Sequence, residues 1–382
     1  MKKQPIIKII SAVLFLVLSV GIILYANTDR PKYTITEDSG VEFETARVLS
    51  VLSDNTVIDR STENVKKGET ELELKLLTGR YKGSVCKVTN YYSALYNVDV
   101  RKGDRVSVRI DTTGKGNYNV SIYNYDRIPL LIGLVAVFAA VLVFLGGKQG
   151  LKAFLGLIYT VAAIFFVLVP LVLKGWDPVV LTIAIVFVTS TLCYILIGGI
   201  RKKTISAALG SLAGVLLAAL LGSLAAHIGG VTTFQMDEAE ALLLAKSNFN
   251  IHIRGLFTSG ILISAIGAVM DISMSISSAV EEVHNANHEF TFKDLFRSGM
   301  KIGRDAMGTM ANTLVLAYVG SSLNMMILIY SYGVSFIQLM NTDFVAIEMI
   351  RSIAGSVGII GTVPCVSFIS AYLFSHDKRE KA

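Results

Sequence analysis

Asp271 is the residue whose surroundings in the sequence most demand a chemical explanation. It lies about 15 residues into the apolar run Leu256 to Val280, hence about 22 Å along a helix that rises 1.5 Å per residue. A charge at the centre of a membrane helix costs roughly 2.5–3.5 kcal/mol, so carboxylates that persist there face a bundle interior, a partner or a water-filled path. Steps of three and four residues link Gly260, Ser264, Gly267, Asp271, Ser275, Ser278 and Glu282, which puts them on one small, polar helix face. Such a face can carry a proton or cation, or Asp271 can be a structural, hydrogen-bonded carboxyl. The next apolar run has a related stripe, Asp305, Thr309 and Asn312, ending at Gly320-Ser-Ser-Leu-Asn324. Consecutive antiparallel helices bring the two stripes to one depth, so Thr309 and Asn312 are the expected hydrogen-bond partners of Asp271. The last run adds Glu348 and Arg351, whose spacing lets them pair, either to orient the helix or to relay a proton.

Other constellations exclude more than they assign. His284 and His288 form His-x-x-x-His with Glu281, Glu282 and Glu289 nearby, a weak candidate for metal binding. No Glu follows the first His as in a zinc protease, a solvated helix end is the better reading, and no metal or other cofactor is expected. Gly146-Gly-Lys-Gln-Gly150 lacks the spacing of a phosphate-binding loop, no G-x-S-x-G occurs, and Gly267-Ala-Val-Met-Asp271 is not the G-x-G-D of intramembrane proteases. No catalytic residues are assigned, and the chain is not expected to be an enzyme. Cys86, Cys193 and Cys365 have no disulfide or zinc spacing. The four-residue stripe Ser206, Gly210, Gly214, Ala218, Gly222, Ala226 reads as helix packing. Between Asn287 and Arg304, Phe290, Phe292, Leu295, Phe296, Met300 and Ile302 are interleaved with Lys293, Arg297, Lys301 and Arg304, a basic amphipathic helix expected at the inner membrane surface.

The elements that hold these residues follow from composition. Of 382 residues 53% are hydrophobic and 17% charged, the mean hydropathy is +0.59, and soluble domains carry a charged share of roughly a quarter. A water-soluble protein is thereby excluded. Residues 27–126 hold 15 Lys+Arg and 15 Asp+Glu, so the net charge of +6 belongs to the apolar remainder, where it flanks apolar runs instead of forming a basic face. That pattern speaks against a nucleic-acid partner. Runs of about 18 apolar residues or more span a hydrocarbon core of about 30 Å. Eight occur: Ile6 to Tyr25, Ile128 to Leu145, Ala153 to Leu173, Val179 to Ile200, Thr204 to Ile228, Leu256 to Val280, Ala306 to Tyr330 and Ala346 to Phe374. The first reads as an uncleaved anchor in preference to a signal peptide, since no A-x-A site follows it. Lys and Arg gather in alternate loops, among them Lys148, Lys152, Arg201, Lys202 and Lys203, which predicts both termini in the cytoplasm and residues 27–126 outside. Period-two alternation at Arg47 to Leu52, Glu71 to Leu76, Asn97 to Val100, Arg105 to Ile110 and Tyr118 to Tyr123 predicts short strands in that outer segment. The expected fold is an α-helical polytopic membrane protein of about eight transmembrane helices with an extracytoplasmic all-β, OB-like domain after the first. Its divisions are residues 1–26 (anchor), 27–126 (β-rich domain), 127–374 (seven-helix membrane domain) and 375–382 (cytoplasmic tail).

Three segments carry a family resemblance: Gly267 to Glu281 (GAVMDISMSISSAVE), Ser298 to Gly320 (SGMKIGRDAMGTMANTLVLAYVG) and Arg351 to Gly358 (RSIAGSVG). The chain resembles the YibE/F family of bacterial multi-pass membrane proteins, and the resemblance implies the order of anchor, outer domain and helices, a bacterial cell membrane and a permease role. An Asp in a Gly-rich span, followed by a span ending at Tyr-x-Gly and a Gly/Ser-rich last span, is also similar to the SecD/SecF and RND-type permeases. By that analogy Asp271 stands where those proteins place a proton-relay Asp, although seven spans follow the outer domain where a half-unit of that class has five. The expected function is therefore a proton- or cation-coupled transporter with its path between the sixth and seventh spans. The alternative is a non-transporting scaffold that presents the β domain to an envelope partner. The expected partners are the lipid bilayer, an ion or small solute, and an envelope protein or a second copy of the chain.

Overall fold

The computed structural model describes residues 19–28, 40–62, 64–113, 117–236, 239–246 and 250–376. Most of the first apolar run and the C-terminal tail lie outside these residues. The chain divides into two compact units, Pro31–Val141 and a second made of Met1–Arg30 with Leu142–Ala382.

In the first unit five strands form one antiparallel sheet: β1 (Val41–Asp59), β2 (Val65–Leu76), β3 (Val85–Tyr92), β4 (Arg105–Thr113) and β5 (Asn117–Tyr125), in the order β3-β2-β1-β4-β5. The first part of β1 pairs with β4 (Val41 opposite Asp111) and its whole later part with β2 (Asp59 opposite Val65), with register shifts after Val48 and Val51 that bend the strand. Alternate residues turn inward, so Ala46, Val48, Leu72, Leu74, Leu76, Val106, Val108 and Ile110 make a closed core. The alternation at Asn97 to Val100 does not make a strand. Asn97 Nδ2 donates to the Lys66 carbonyl at 2.7 Å and Asn90 Nδ2 to that of Val98 at 2.9 Å, so side chains hold this extended segment where a ladder would otherwise do so.

This unit has its own core, and residues 40–126 expressed alone are expected to fold, with a β-type circular dichroism spectrum and a cooperative melt. The Lys67 ammonium and Ser61 hold the Asp59 carboxyl well below the carboxylate range, and Thr56 does the same more weakly for Asp54. Depressed carboxyls stabilise the fold above their ordinary value of 3.8, and that stability is lost as pH falls below it. Asp99 raises Lys66 above its ordinary 10.5, so this contribution is complete below 10.5 and is lost in stronger base. An unfolded spectrum at pH 7 would refute the independent fold, and a melting temperature flat between pH 5 and 2 would refute the carboxylate contribution.

The other elements are helical. Residues 19–27 form α1, followed after the sheet by α2 (Ile128–Ala163), which passes through a π-helical turn (Ile164–Leu168) into α3 (Val169–Leu173). Then come α4 (Pro178–Gly198), α5 (Lys202–Ile228), a 3-10 turn (Thr233–Gln235), α6 (Ala239–Lys246), α7 (Leu256–Ala286), α8 (Phe292–Ser321), α9 (Leu323–Ser331), α10 (Phe336–Met340) and α11 (Asp343–Ser375). Helix starts follow local chemistry: Asp177 Oδ1 accepts from Val179 and Val180 N–H ahead of Pro178, and Thr291 and Asp294 form a capping box. Five helical stretches are long and apolar enough to cross a membrane, or six if α8 and α9, bent by 56° at Ser322, make one broken span.

The second and third apolar runs are one helical trace, Ile128–Leu173. It is interrupted at Gly147, whose φ of 55° and ψ of −134° a side chain would strain. A Cβ at Gly150 would collide with the Leu142 carbonyl, whereas residues eight apart in a straight helix are about 12 Å apart. The chain therefore turns back sharply at this glycine.

The membrane core sits where α5, α7, α8 and α11 meet. Leu262, Ile266, Val269, Ile272, Ile276 and Val280 line one face of α7 and pack against Val215 and Ala218 of α5 and Ile359, Val363 and Val366 of α11. The stripe on α5 is the seam to α11: a Cβ at Gly210 would overlap Val366, and one at Gly214 would overlap Thr362. The basic amphipathic segment is not a separate surface helix. It is the start of α8, with Leu295 buried and Phe292, Phe296 and Met300 packed against the same core. Lys293, Arg297, Lys301 and Arg304 stay exposed on the opposite side.

Candidate functional site

The polar face of α7 points away from this core. Ser264, Gly267, Asp271, Ser275 and Glu282 are exposed, and Gly260 and Ser278 are partly so. On α8, Asp305, Thr309 and Asn312 are exposed as well. Glycines bring this about. A Cβ at Gly299 would stand 2.8 Å from Ser367 Oγ of α11 and 3.1 Å from Val280 Cγ2 of α7, and one at Gly303 would overlap Val363 Cγ1 of α11 and stand 3.0 Å from Ile276 Cδ1 of α7, so α8 wedges its glycine seam between α11 and the apolar face of α7 and turns its polar stripe outward.

The two helices run antiparallel, with Val280 beside Gly299, Ile276 beside Gly303 and Ser264 bonded to Tyr318. Extending that register sets Asp271 level with the turn that holds Gly308, Thr309 and Asn312. The expected bond is nevertheless not made inside the chain. Thr309 Oγ1 donates to the Ala306 carbonyl at 2.8 Å, and among the described residues no hydrogen bond or ion pair joins Asp271 to Thr309 or Asn312. The glycine seam of α8 sits against both α11 and the apolar face of α7, and the polar stripes lie to one side of it.

A second polar cluster forms where α8 breaks into α9. Arg351 Nη1 donates to Glu348 Oε1 at 2.8 Å, and about a fifth of each side chain remains accessible (19% and 20%). Glu348 Oε2 and Arg351 Nε are buried without a hydrogen-bond partner among the described residues. The guanidinium lies 5.8 Å from the centre of the Phe257 ring and 5.9 Å from that of Tyr318, within cation–π range. The Tyr318 hydroxyl donates to Ser264 Oγ on α7. Beside the pair is a cavity of about 320 Å³ lined by Gln235, Ser321, Ser322, Asn324, Phe344 and Ile347 among others. Ser264 begins the polar face that reaches Asp271 seven residues later, about 10 Å along the helix. Polar side chains thus lead from the cavity, through Arg351 and Tyr318, to Ser264, and Asp271 stands further along the same face with Gly267 between them, followed by Ser275 and Glu282.

At the opposite end of α7, Lys203 Nζ pairs with Glu281 at 2.7 Å, and Ser277 Oγ, 2.5 Å from Ser206 Oγ, donates to the Lys203 carbonyl at 2.7 Å. His284 is buried with its ring 5.6 Å from that of Phe374 and 5.0 Å from that of His288. Among the described residues no three His, Cys, Asp or Glu side chains converge on a point that could hold a metal ion.

Sequence spacing did not single out Phe257 or Gln235, and it marked Tyr318 only as the start of the Tyr-x-Gly that ends the seventh span, without a partner. Each reaches the site across tens of residues of chain, and no periodic pattern marks them.

A profile of the YibE/F-like protein family matches residues 134–376, which contain the cavity, the ion pair and both polar stripes. The profile of the YibE/F family N-terminal domain matches residues 42–125, the whole five-stranded sheet. No curated protein and no solved structure matches the chain. With both profiles in order and the larger covering well over half of the 382 residues, sheet and helices alike, the chain belongs to the YibE/F family.

Proposed function

We propose that this protein is a membrane permease for an ion or small polar solute, coupled to protons or another cation through Asp271. One observation carries the reading: polar groups lead from the cavity at the α8–α9 break, through Glu348, Arg351 and Tyr318, to Ser264, which shares one exposed face of α7 with Asp271. Broken helices with irregular backbone are tolerated at membrane depth where they line a cavity, and discontinuous helices of this kind build solute sites in transporters. Reconstituted into liposomes with an internal pH-sensitive dye, the protein is expected to give an ion- or solute-dependent dye response above that of empty vesicles. No response under any imposed gradient would overturn the permease. The scaffold reading is favoured by a different observation, the self-contained core of the β unit. It requires that deleting the β unit abolish function while the helices alone carry no flux.

In the proposed topology both termini are cytoplasmic, eight spans cross the membrane and the β unit lies outside, supported by the grouping of Lys and Arg in alternate loops. Reporter fusions after Lys203 and Arg297 are expected to report the cytoplasm, and access to these positions only from outside would reverse the topology. We read the β unit as OB-like. Support comes from β1, which is central and paired to both β2 and β4, and from β3 and β5, which approach each other across the open side of the sheet.

A further inference from the structure

We infer that the polar path is completed by a second copy of this chain, packed so that α7 and α8 of one copy face α7 and α8 of the other. The inference rests on the reading of these faces as a path. A path needs walls on every side, and among the described residues this one has a wall on one side only: Ser264, Gly267, Asp271, Ser275, Asp305, Thr309 and Asn312 are all exposed. Facing lipid, Asp271 and Asn312 would have no water and no partner to bond, which a bilayer core does not tolerate without a large cost.

The face is complementary to itself. Asp271 offers carboxylate oxygens, and Ser275, Thr309 and Asn312 offer hydroxyl and amide donors on the same surface. A two-fold axis along the membrane normal keeps every residue at its own depth. Thr309 and Asn312, level with Asp271 yet not bonded to it within the chain, would therefore meet the Asp271 of the other copy. Exposed Lys301 and Arg304 lie nearer the start of α8 than Thr309, by about two turns and about one and a half, with exposed Asp305 next to Arg304, so charges of both signs are available across the same seam. There is also room for a neighbouring helix. At Gly260, Gly267 and Gly308 a Cβ would meet nothing within 4 Å, unlike Gly299 and Gly303 on the packed side. Small residues in such positions let helix backbones approach closely in a membrane.

The test is disulfide trapping in native membranes of the full-length chain with Cys86, Cys193 and Cys365 replaced by Ala. Ser275→Cys and Thr309→Cys, alone and co-expressed, are expected to give a band of twice the chain mass on oxidation, several-fold stronger than Leu220→Cys. Leu220, exposed on α5, is the control. The unaltered chain, which needs no cysteine replacement to fold, is expected to show two copies by native mass spectrometry from nanodiscs. A single copy there, trapping no stronger than at Leu220, or trapping to a different protein would each overturn the inference. Trapping does not depend on flux, so dimers without transport would sink the permease reading alone, and transport by a single copy would sink this inference alone.

Discussion

Transport by the reconstituted protein is expected to fall by about 10²-fold or more when Asp271 is replaced by Asn, with membrane abundance and melting temperature unchanged. Asn keeps the size and hydrogen-bonding capacity of the side chain and removes its ability to bind and release a proton. The usual objection to such a test is that a buried carboxyl also holds the fold. Here no hydrogen bond or ion pair within the described residues engages Asp271, and the core of α7 lies on the opposite face. The stability of a single copy therefore has nothing to lose at this position. Had Asp271 been a structural carboxyl, Ala would cost about 1–3 kcal/mol through its abandoned partner while Asn would be tolerated. Flux at matched abundance separates the two accounts: full activity in Asp271→Asn would remove the relay and leave the scaffold. The Glu348–Arg351 pair makes the contrast, because there a single substitution strands a half-buried partner beside the cavity. A drop in both stability and flux is the expected outcome at that site.

The polar stripe on α7 was legible from spacing alone, but the direction it faces was not, and the reason is physical. In water the apolar face of a helix must turn inward, so periodicity gives orientation. In a bilayer both the core and the lipid accept Leu and Ile, and the pattern identifies a face without saying what lies opposite it. Orientation was decided by Gly299 and Gly303, whose missing side chains admit Ser367 and Val363 of α11 as well as Val280 and Ile276 of α7. These two glycines stood in plain sight within the segment read as a surface helix. The sheet shows the complementary case. β2, β4 and β5 follow the alternation and β1 does so only as far as its register shifts after Val48 and Val51, but β3 was hidden because one inward position is Asn90, a buried polar residue that breaks the pattern and is satisfied by the Val98 carbonyl. The Ser264–Tyr318 bond spans 54 residues and has no local signature at all.

The stripe on α5 allows the opposite kind of inference, from spacing to a packed seam, and it supports a second strong prediction. Gly214→Ala is expected to destabilise the helix bundle by about 1–3 kcal/mol, and Gly214→Leu to prevent its assembly. A Cβ at Gly214 would stand inside the Thr362 hydroxyl, 2.9 Å from the Gly358 carbonyl and 3.0 Å from Thr362 Cβ. Thr362 cannot simply rotate away. It is fully buried, and its hydroxyl donates to the Gly358 carbonyl at 2.7 Å, one turn earlier on the same helix. The reciprocal position is as tight, since a Cβ at Gly358 would meet Ala218 Cβ at 2.7 Å. Helix propensity works against the effect, because Ala is favoured over Gly by about 0.8–1.0 kcal/mol in a helix interior. A measured loss therefore understates the steric cost. Gly320, where a Cβ would meet nothing within 4 Å, is the control, and Gly320→Ala should leave the melt in detergent unchanged or slightly higher. Removing the obstructing group should restore much of what Gly214→Ala loses. In a double-mutant cycle Thr362→Ala is accordingly expected to cost less in the Gly214→Ala background than in the unaltered chain. Additive losses would mean that α5 and α11 do not cross at Gly214 and Thr362.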